Sequence, residues 1–337
     1  MFVRPRVLSI LTTRRCTAAC DHCCVGASPK ATARIPVPRI HGLIDEAKRI
    51  PSIERIVFTG GECFLLGADL DALVRHASAN GFATRVVTNG YWAVNERAAR
   101  ERVHGLRTSG LDEMMLSTGT FHQRFVPVAR VVDAARAAAA AGIAARISIE
   151  DCDQQTFDDA SLRASLADLI AAQRVHLSRD PWIADAGGRG SAELTHDRAL
   201  EAGANAAGRC AQILSVISVT PEQQLIACCG FPLEELPRLA IASVAERKLD
   251  DVLDESPDEL LKIWLHVAGP AGIAAFVARH LPGFVLPPAA SICHACIALQ
   301  RHPGAMRVVT EHASEIAQQV AAEYVRLQGA RQPLAAL

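Results

Sequence analysis

Val7-Leu-Ser-Ile-Leu-Thr12 is a short apolar run; apolar residues at Ile40, Leu43, Ile44 and Ala47 then mark one face of a helix, and Arg55-Ile-Val-Phe-Thr59 follows, closed by Gly60-Gly61. Strand, helix, strand, with each strand a nearly unbroken apolar run, is how parallel strands buried on both faces and joined by crossover helices read in sequence. Pro38 suits the first turn of that helix, where its missing N–H has no helical partner to lose.

The alternation continues outward from this unit. Leu70, Leu73, Val74 and Ala77 mark a second amphipathic helix, and Ala83 to Thr88 a third strand ending at Asn89-Gly90. Asn95 is placed to cap a helix running through Val103, Glu113 to Ser117 is a fourth strand, and the alanine-rich stretch Val128 to Ala141 a helix. Ala145 to Ile149, a helix from Phe157 to Arg174, and Val175 to Ser178 complete six βα units, fewer than the eight of a closed barrel. The fold expected is α/β, a partial (βα)6 TIM-like barrel over residues 1–180. A linker at 181–191, containing Gly187-Gly188-Arg189-Gly190, leads to a small α/β domain over 192–300 and a helical segment over 301–337. In the second part, Ile213 to Val219 and Leu225 to Cys228 read as a hairpin, Ser256-Pro257-Asp258-Glu259 as a capping box opening a helix, and Gly269-Pro270 as its break.

Composition narrows the function. The chain has 337 residues, 50% of them hydrophobic and 21% charged, enough to bury a sizeable core. A formal net charge of -1 leaves no basic field for nucleic acid or an anionic membrane. No uninterrupted apolar run reaches the roughly 18 residues of a membrane span, and Met1-Phe2-Val3-Arg4-Pro5-Arg6 lacks the features of a signal peptide. A cytoplasmic protein is expected, and in a reducing cytosol its 11 cysteines are free or metal-bound.

The cysteines form two groups. Cys16-Thr-Ala-Ala-Cys20-Asp-His-Cys23 directly follows the first strand, and Cys24 adjoins it. Cys210, Cys228, Cys293 and Cys296 are separated by 17, 64 and 2 residues. The tight first loop can turn three thiolates onto a cubane iron–sulfur cluster and leave one iron open; zinc would need a fourth ligand such as Cys24 or His22. The second group fits either a four-thiolate zinc site or a second cluster, with Cys229 able to replace Cys228.

The Cys-x3-Cys-x2-Cys loop after a first strand, with Thr59-Gly60-Gly61-Glu62 after a second, resembles the radical S-adenosylmethionine (SAM) superfamily over roughly residues 6 to 180. The resemblance implies a [4Fe–4S] cluster on Cys16, Cys20 and Cys23, with SAM on its open iron. It further implies Gly60, Gly61, Glu62, Asn89, Ser117 and Glu150 as cofactor-binding residues. Many relatives carry an acidic residue where Gly119 stands. The second group resembles the auxiliary-cluster domains called twitch and SPASM, with Cys210, Cys228, Cys293 and Cys296 holding a second [4Fe–4S] cluster. Relatives often have glycine where Gln223 stands in the hairpin turn. Cys63 and Cys152 read either as thiols facing substrate or as small buried apolar residues.

The function this implies is reductive cleavage of SAM and hydrogen-atom abstraction from a substrate C–H bond. The substrate is read as a small polar metabolite, oxidised or rearranged with the auxiliary cluster as electron relay. A maturase acting on a ribosomally made peptide is the alternative, and a zinc-binding interaction module the non-enzymatic one. A flavodoxin or ferredoxin would supply the electron.

Overall fold

The computed structural model describes residues 4–151, 157–181, 208–229, 236–254, 259–289 and 291–329. The first part is β1 (Val7–Leu11), α1 (Val37–Ala47), β2 (Arg55–Thr59), α2 (Ala68–Ala79), β3 (Ala83–Thr88), α3 (Glu96–Thr108) and β4 (Glu113–Gly119). It continues through the one-turn helix α4 (Thr120–Gln123), α5 (Val128–Ala140), β5 (Ala144–Asp151), α6 (Ala160–Ser165), α7 (Ala167–Ala171) and β6 (Val175–Pro181). Strands β1 to β6 pair in parallel in chain order, and the sheet stays open. Its core is the apolar side of the helices against the strands: Ile40, Leu43 and Ile44 of α1 and Leu70, Leu73 and Val74 of α2 are wholly buried with Leu8, Ile10, Ile56 and Phe58. The single helix expected over Phe157 to Arg174 is instead two short ones, because Leu166 leaves helical geometry between them (ψ 12°).

The second part is β7 (Val216–Val219), β8 (Gln224–Ile226), β9 (Ala240–Ser243), α8 (Leu249–Asp254), α9 (Glu259–His280), α10 (Ile292–Arg301), α11 (Pro303–Glu311) and α12 (Ala313–Gly329). The expected hairpin exists as β7–β8, and it extends the first sheet, with β7 parallel to β1, so that nine strands form one sheet among the described residues. Gln223 occupies the turn at φ 59°, the left-handed conformation that glycine adopts without penalty. The remaining helices enclose a second core around Trp264, Phe276, Leu299, Met306 and Tyr324.

Leu260–His280 is long and apolar enough to pass for a membrane span by composition although no uninterrupted apolar run of that length exists: its most apolar window has a mean hydropathy of 1.6, and 61% of that window is buried in the protein. Lys262 and the Gly269-Pro270 break interrupt the apolar run, which is why it escapes notice in sequence. The helix kinks at Gly269, and Ile263, Trp264, Ile273 and Val277 are core residues. The capping box falls largely on 255–258 and the linker on 182–191, both outside the described residues.

Candidate functional site

The carboxyl ends of parallel strands are where an open α/β sheet leaves a crevice, because each chain must turn there from strand to helix. Here a cavity of about 230 Å³ lies over the ends of β1 to β4. Cys16, Cys20 and Cys23 line it together with Gly60, Gly61, Asn89 and Ser117.

The cysteine loop is held by its own backbone. Arg14 N–H donates to Ala33 O, Cys16 N–H to Ser28 O and Ser28 N–H to Arg14 O, so residues 13–34 close on themselves as a flap above β1. Within it, Ala18 N–H points at Cys16 Sγ (3.4 Å) and Ala27 N–H at Cys23 Sγ (3.3 Å). N–H groups aimed at sulfur favour thiolate, the form that binds metal. Burial pushes the Cys16 thiol the other way, up to about 11, so a metal must supply the charge that makes thiolate favourable there.

Glycine is required beneath the flap. A Cβ on Gly61 would lie 2.3 Å from Arg15 O, and one on Gly60 2.5 Å from Thr13 O. Gly61 N–H donates to Thr13 O and Glu62 N–H to Arg15 O, fastening β2 to the flap. The wholly buried Glu62 carboxylate accepts from Phe64 N–H (3.1 Å), Thr88 O–H (2.8 Å) and Asn89 N–H (2.9 Å). Burial nevertheless raises its pKa to about 7, outweighing those hydrogen bonds. Glu62 thus locks the end of β3, and Asn89 reaches back to donate from Nδ2 to Thr17 Oγ1 (3.1 Å).

Glu150 stands opposite Gly119 in the β4–β5 register. Its carboxylate fills the place of a residue-119 side chain, since a Cβ on Gly119 would lie 1.8 Å from Glu150 Oε2. Phe121 N–H and His122 N–H donate to Oε1, and His122 Nδ1 lies 2.9 Å from Oε2. A carboxylate from the neighbouring strand thus stands where a side chain at position 119 would be. His122 also meets His22 edge to face, and Cys20, His22 and His122 present one donor atom each within 4.8 Å of one another.

Cys63 is absent from the lining of this cavity: its Sγ is buried in the sheet core and donates to Val87 O (3.3 Å), which fits the second of its two readings, a small buried apolar residue, and not a thiol facing substrate. Cys152 lies outside the described residues. Trp92 stacks on Phe64 (4.6 Å) and donates to Thr88 Oγ1, and Arg124 pairs with Asp21.

The second thiol group gathers in the second core. Cys293 and Cys296 share one face of α10, three residues apart. They pack there with Cys210 and Cys228, and burial raises the thiols of Cys210, Cys293 and Cys296. Cys229 lies against this group too, its thiol hydrogen-bonded to that of Cys228, and it also lines the first cavity. Cys24 belongs to both neighbourhoods, lining the first cavity and packing against the second core. Arg14 strengthens the junction through paired hydrogen bonds to Glu222 in the β7–β8 turn (2.6 and 3.0 Å). The sequence offered Cys229 only as a replacement for Cys228 and His22 only as a fourth zinc ligand, and did not place either beside His122; only the fold carries His122 from beyond β4 to the cysteine flap.

Comparison with known proteins agrees with this geometry. Residues 10–150 match the family model of the Radical SAM superfamily. The chain is 31% identical over 121 residues to the putative peptide biosynthesis protein YydG of Bacillus subtilis (strain 168), covering 36% of this chain and 38% of that protein. Among solved structures, Streptococcus suis SuiB bound to S-adenosylmethionine shares the fold with a TM-score of 0.51 at 14% identity, over 82% of this chain and 74% of that one. Native anSMEcpe with bound AdoMet does so with a TM-score of 0.51 at 12% identity, over 94% of this chain and 100% of that one. Three thiols and a glycine cradle on one cavity, on this fold and under this family match, make residues 10–150 a radical SAM domain.

Proposed function

We propose that the protein is a radical SAM enzyme that modifies a peptide, and that Cys229 returns a hydrogen atom to the substrate. The observation that carries the reading is the convergence of Cys16, Cys20, Cys23, Gly60 and Gly61 on one cavity whose wall also holds the Cys229 thiol. The donor set suits the cofactors: three thiols for a cubane with one open iron, and backbone stripped of side chains where a ligand must approach closely. A [4Fe–4S] cluster and SAM bound there supply one-electron cleavage of the sulfonium and a 5′-deoxyadenosyl radical.

The chain's own residues position and protect. Cys16, Cys20 and Cys23 hold the metal, and Gly60 and Gly61 let backbone meet the methionine end. Glu62 fixes Thr88 and Asn89, and Ser117 offers a hydroxyl on the wall. The buried Glu150 carboxylate fixes His122 against the flap. After a substrate C–H hydrogen is removed, the Cys229 S–H is placed to give one back, and the resulting thiyl is restored by one electron and one proton. Cys210, Cys228, Cys293 and Cys296 would hold a second cluster, which would supply that electron beside Cys229.

The peptide reading takes support from the likeness to YydG, whose description concerns peptide biosynthesis. The division at residues 181–191 and a cytoplasmic location belong to this proposal. So does a flavodoxin or ferredoxin donor, for which Arg15, Lys30 and Arg34 line a concavity on the flap with no acidic residue in its lining. The second reading, oxidation of a small polar metabolite, rests on the four grouped thiols acting as an electron acceptor.

The two separate in deuterium oxide, with candidate precursor peptides as substrates. Return of hydrogen by Cys229 gives a product of unchanged composition carrying one solvent deuterium, and Cys229→Ala makes 5′-deoxyadenosine without that label. A product two hydrogens lighter with no solvent deuterium would overturn the Cys229 role.

A further inference from the structure

Outside both thiol groups, three helix ends meet at His280, His312 and Glu315. His280 is the last residue of α9, His312 caps the carboxyl end of α11, and Glu315 lies in the first turn of α12. The Glu315 carboxylate bridges the two rings: Oε1 lies 2.5 Å from His312 Nδ1, and Oε2 lies 3.3 Å from His280 Nε2. The ring centroids are 4.0 Å apart. One donor atom from each residue lies within 4.8 Å of the other two, and all three side chains reach solvent.

We propose that His280, His312 and Glu315 bind a zinc-class divalent transition ion, with water in the fourth position. Imidazole nitrogen and carboxylate oxygen bind zinc at about 2.0–2.2 Å, which sets neighbouring ligands of a tetrahedral ion roughly 3.4 Å apart. The two contacts through Glu315, 2.5 and 3.3 Å, are shorter than that and no two of the three donor atoms are more than 4.8 Å apart, so small side-chain rotations bring the three donors onto one ion. Two imidazoles and one carboxylate are the wrong set for magnesium or calcium, which want oxygen, and for iron–sulfur clusters, which want thiolate.

The surrounding charge is compatible. Arg279 is the cation nearest in sequence; its guanidinium lies over the Phe276 ring at 5.0 Å and its charge also favours an ionised Glu315 carboxylate. The carboxylate at the centre offers the negative charge that the ion needs. Its effect would be a staple: α9 pinned at its end to the α11–α12 corner, beside the helix that carries Cys293 and Cys296. The site shares no residue with either thiol group and does not depend on the proposed reaction.

The test uses cluster-loaded full-length protein incubated with zinc chloride and desalted. Wild type is expected to retain one more zinc per chain than His312→Ala or Glu315→Gln. Its zinc affinity should be at least tenfold higher than theirs, and zinc should raise the melting temperature of wild type alone. Glu315→Gln preserves side-chain shape and guards against misfolding. X-ray absorption at the zinc edge should show only nitrogen and oxygen neighbours near 2.0–2.2 Å. Equal zinc content in wild type and both variants, or sulfur neighbours near 2.3 Å, would overturn the site.

Discussion

Gly61→Ala attacks the cofactor cradle with a single methyl group. The new Cβ would stand 2.3 Å from Arg15 O, 2.7 Å from Arg15 C and 2.9 Å from Arg14 C, all backbone atoms that no rotamer can move aside. Restoring ordinary contact requires the flap to retreat by about 1 Å, which a close-packed interior resists. The φ of Gly61 is not in the left-handed region, so the cost comes from overlap alone. Overpacking contributes about 1–3 kcal/mol. Retreat also stretches the Gly61 N–H to Thr13 O and Glu62 N–H to Arg15 O bonds, at about 1 kcal/mol for each one lost. With both bonds lost, a destabilisation of about 3–5 kcal/mol follows, read as a lower urea midpoint with unchanged slope. Because Arg15 precedes Cys16, the same displacement moves a cluster ligand, and misplacement of that size costs about 10²-fold in rate. The assay is 5′-deoxyadenosine released from SAM and dithionite by anaerobically reconstituted protein, with circular dichroism to establish folding. Gly142→Ala is the control: its φ is 77° and its Cβ meets open space, so it should lose about 1–2 kcal/mol without loss of activity. Gly61→Ala with full iron content and a wild-type rate would refute the cradle.

Glu62→Gln should destabilise by about 1–3 kcal/mol, since one amide N–H must face the Asn89 or the Phe64 and Thr88 donors. Its pH signature has a defined sign. The folded carboxyl holds its proton up to about pH 7 while the unfolded one loses it near 4.5, so stability falls as pH rises through that window, and Glu62→Gln removes that dependence in urea titrations. Gln223→Gly relieves a left-handed non-glycine residue and should raise stability by about 1 kcal/mol in thermal melts; a lower melting temperature would contradict the turn geometry. Charge reversal at Arg15, Lys30 and Arg34 should slow flavodoxin-driven SAM cleavage at least tenfold and leave dithionite-driven cleavage unchanged, with equal losses under both reductants counting against docking there.

The barrel was legible because its strands are short apolar runs bounded by glycine or polar residues: β2 and β3 begin and end at the residues read from sequence. The three thiols and Gly60-Gly61 were legible because their spacing is local. What sequence could not show is what crosses between elements. No periodicity announces that β7 joins β1, since that pairing depends on where the chain returns after residue 207. Gly119 reads as a missing acid until Glu150 is found opposite it on the adjoining strand. Cys63 follows the glycine motif directly, yet the 3-10 turn over Cys63–Leu66 rotates its sulfur into the core. The helix bearing Cys293 and Cys296 did carry a signal, the Ser291 cap on His294 N–H, which the cysteine spacing overshadowed. His280, His312 and Glu315 lie on three helices and become neighbours only when the second core packs.

The central claim is that Cys16, Cys20 and Cys23 hold a cluster that cleaves SAM. The most direct measurement compares anaerobically reconstituted wild type with the Cys16→Ala, Cys20→Ala, Cys23→Ala triple variant for iron, sulfide and 5′-deoxyadenosine. Two cubanes give about eight irons and eight sulfides in wild type, and the variant should keep about four of each while making no 5′-deoxyadenosine. A triple variant that still makes 5′-deoxyadenosine from SAM and dithionite would contradict the account.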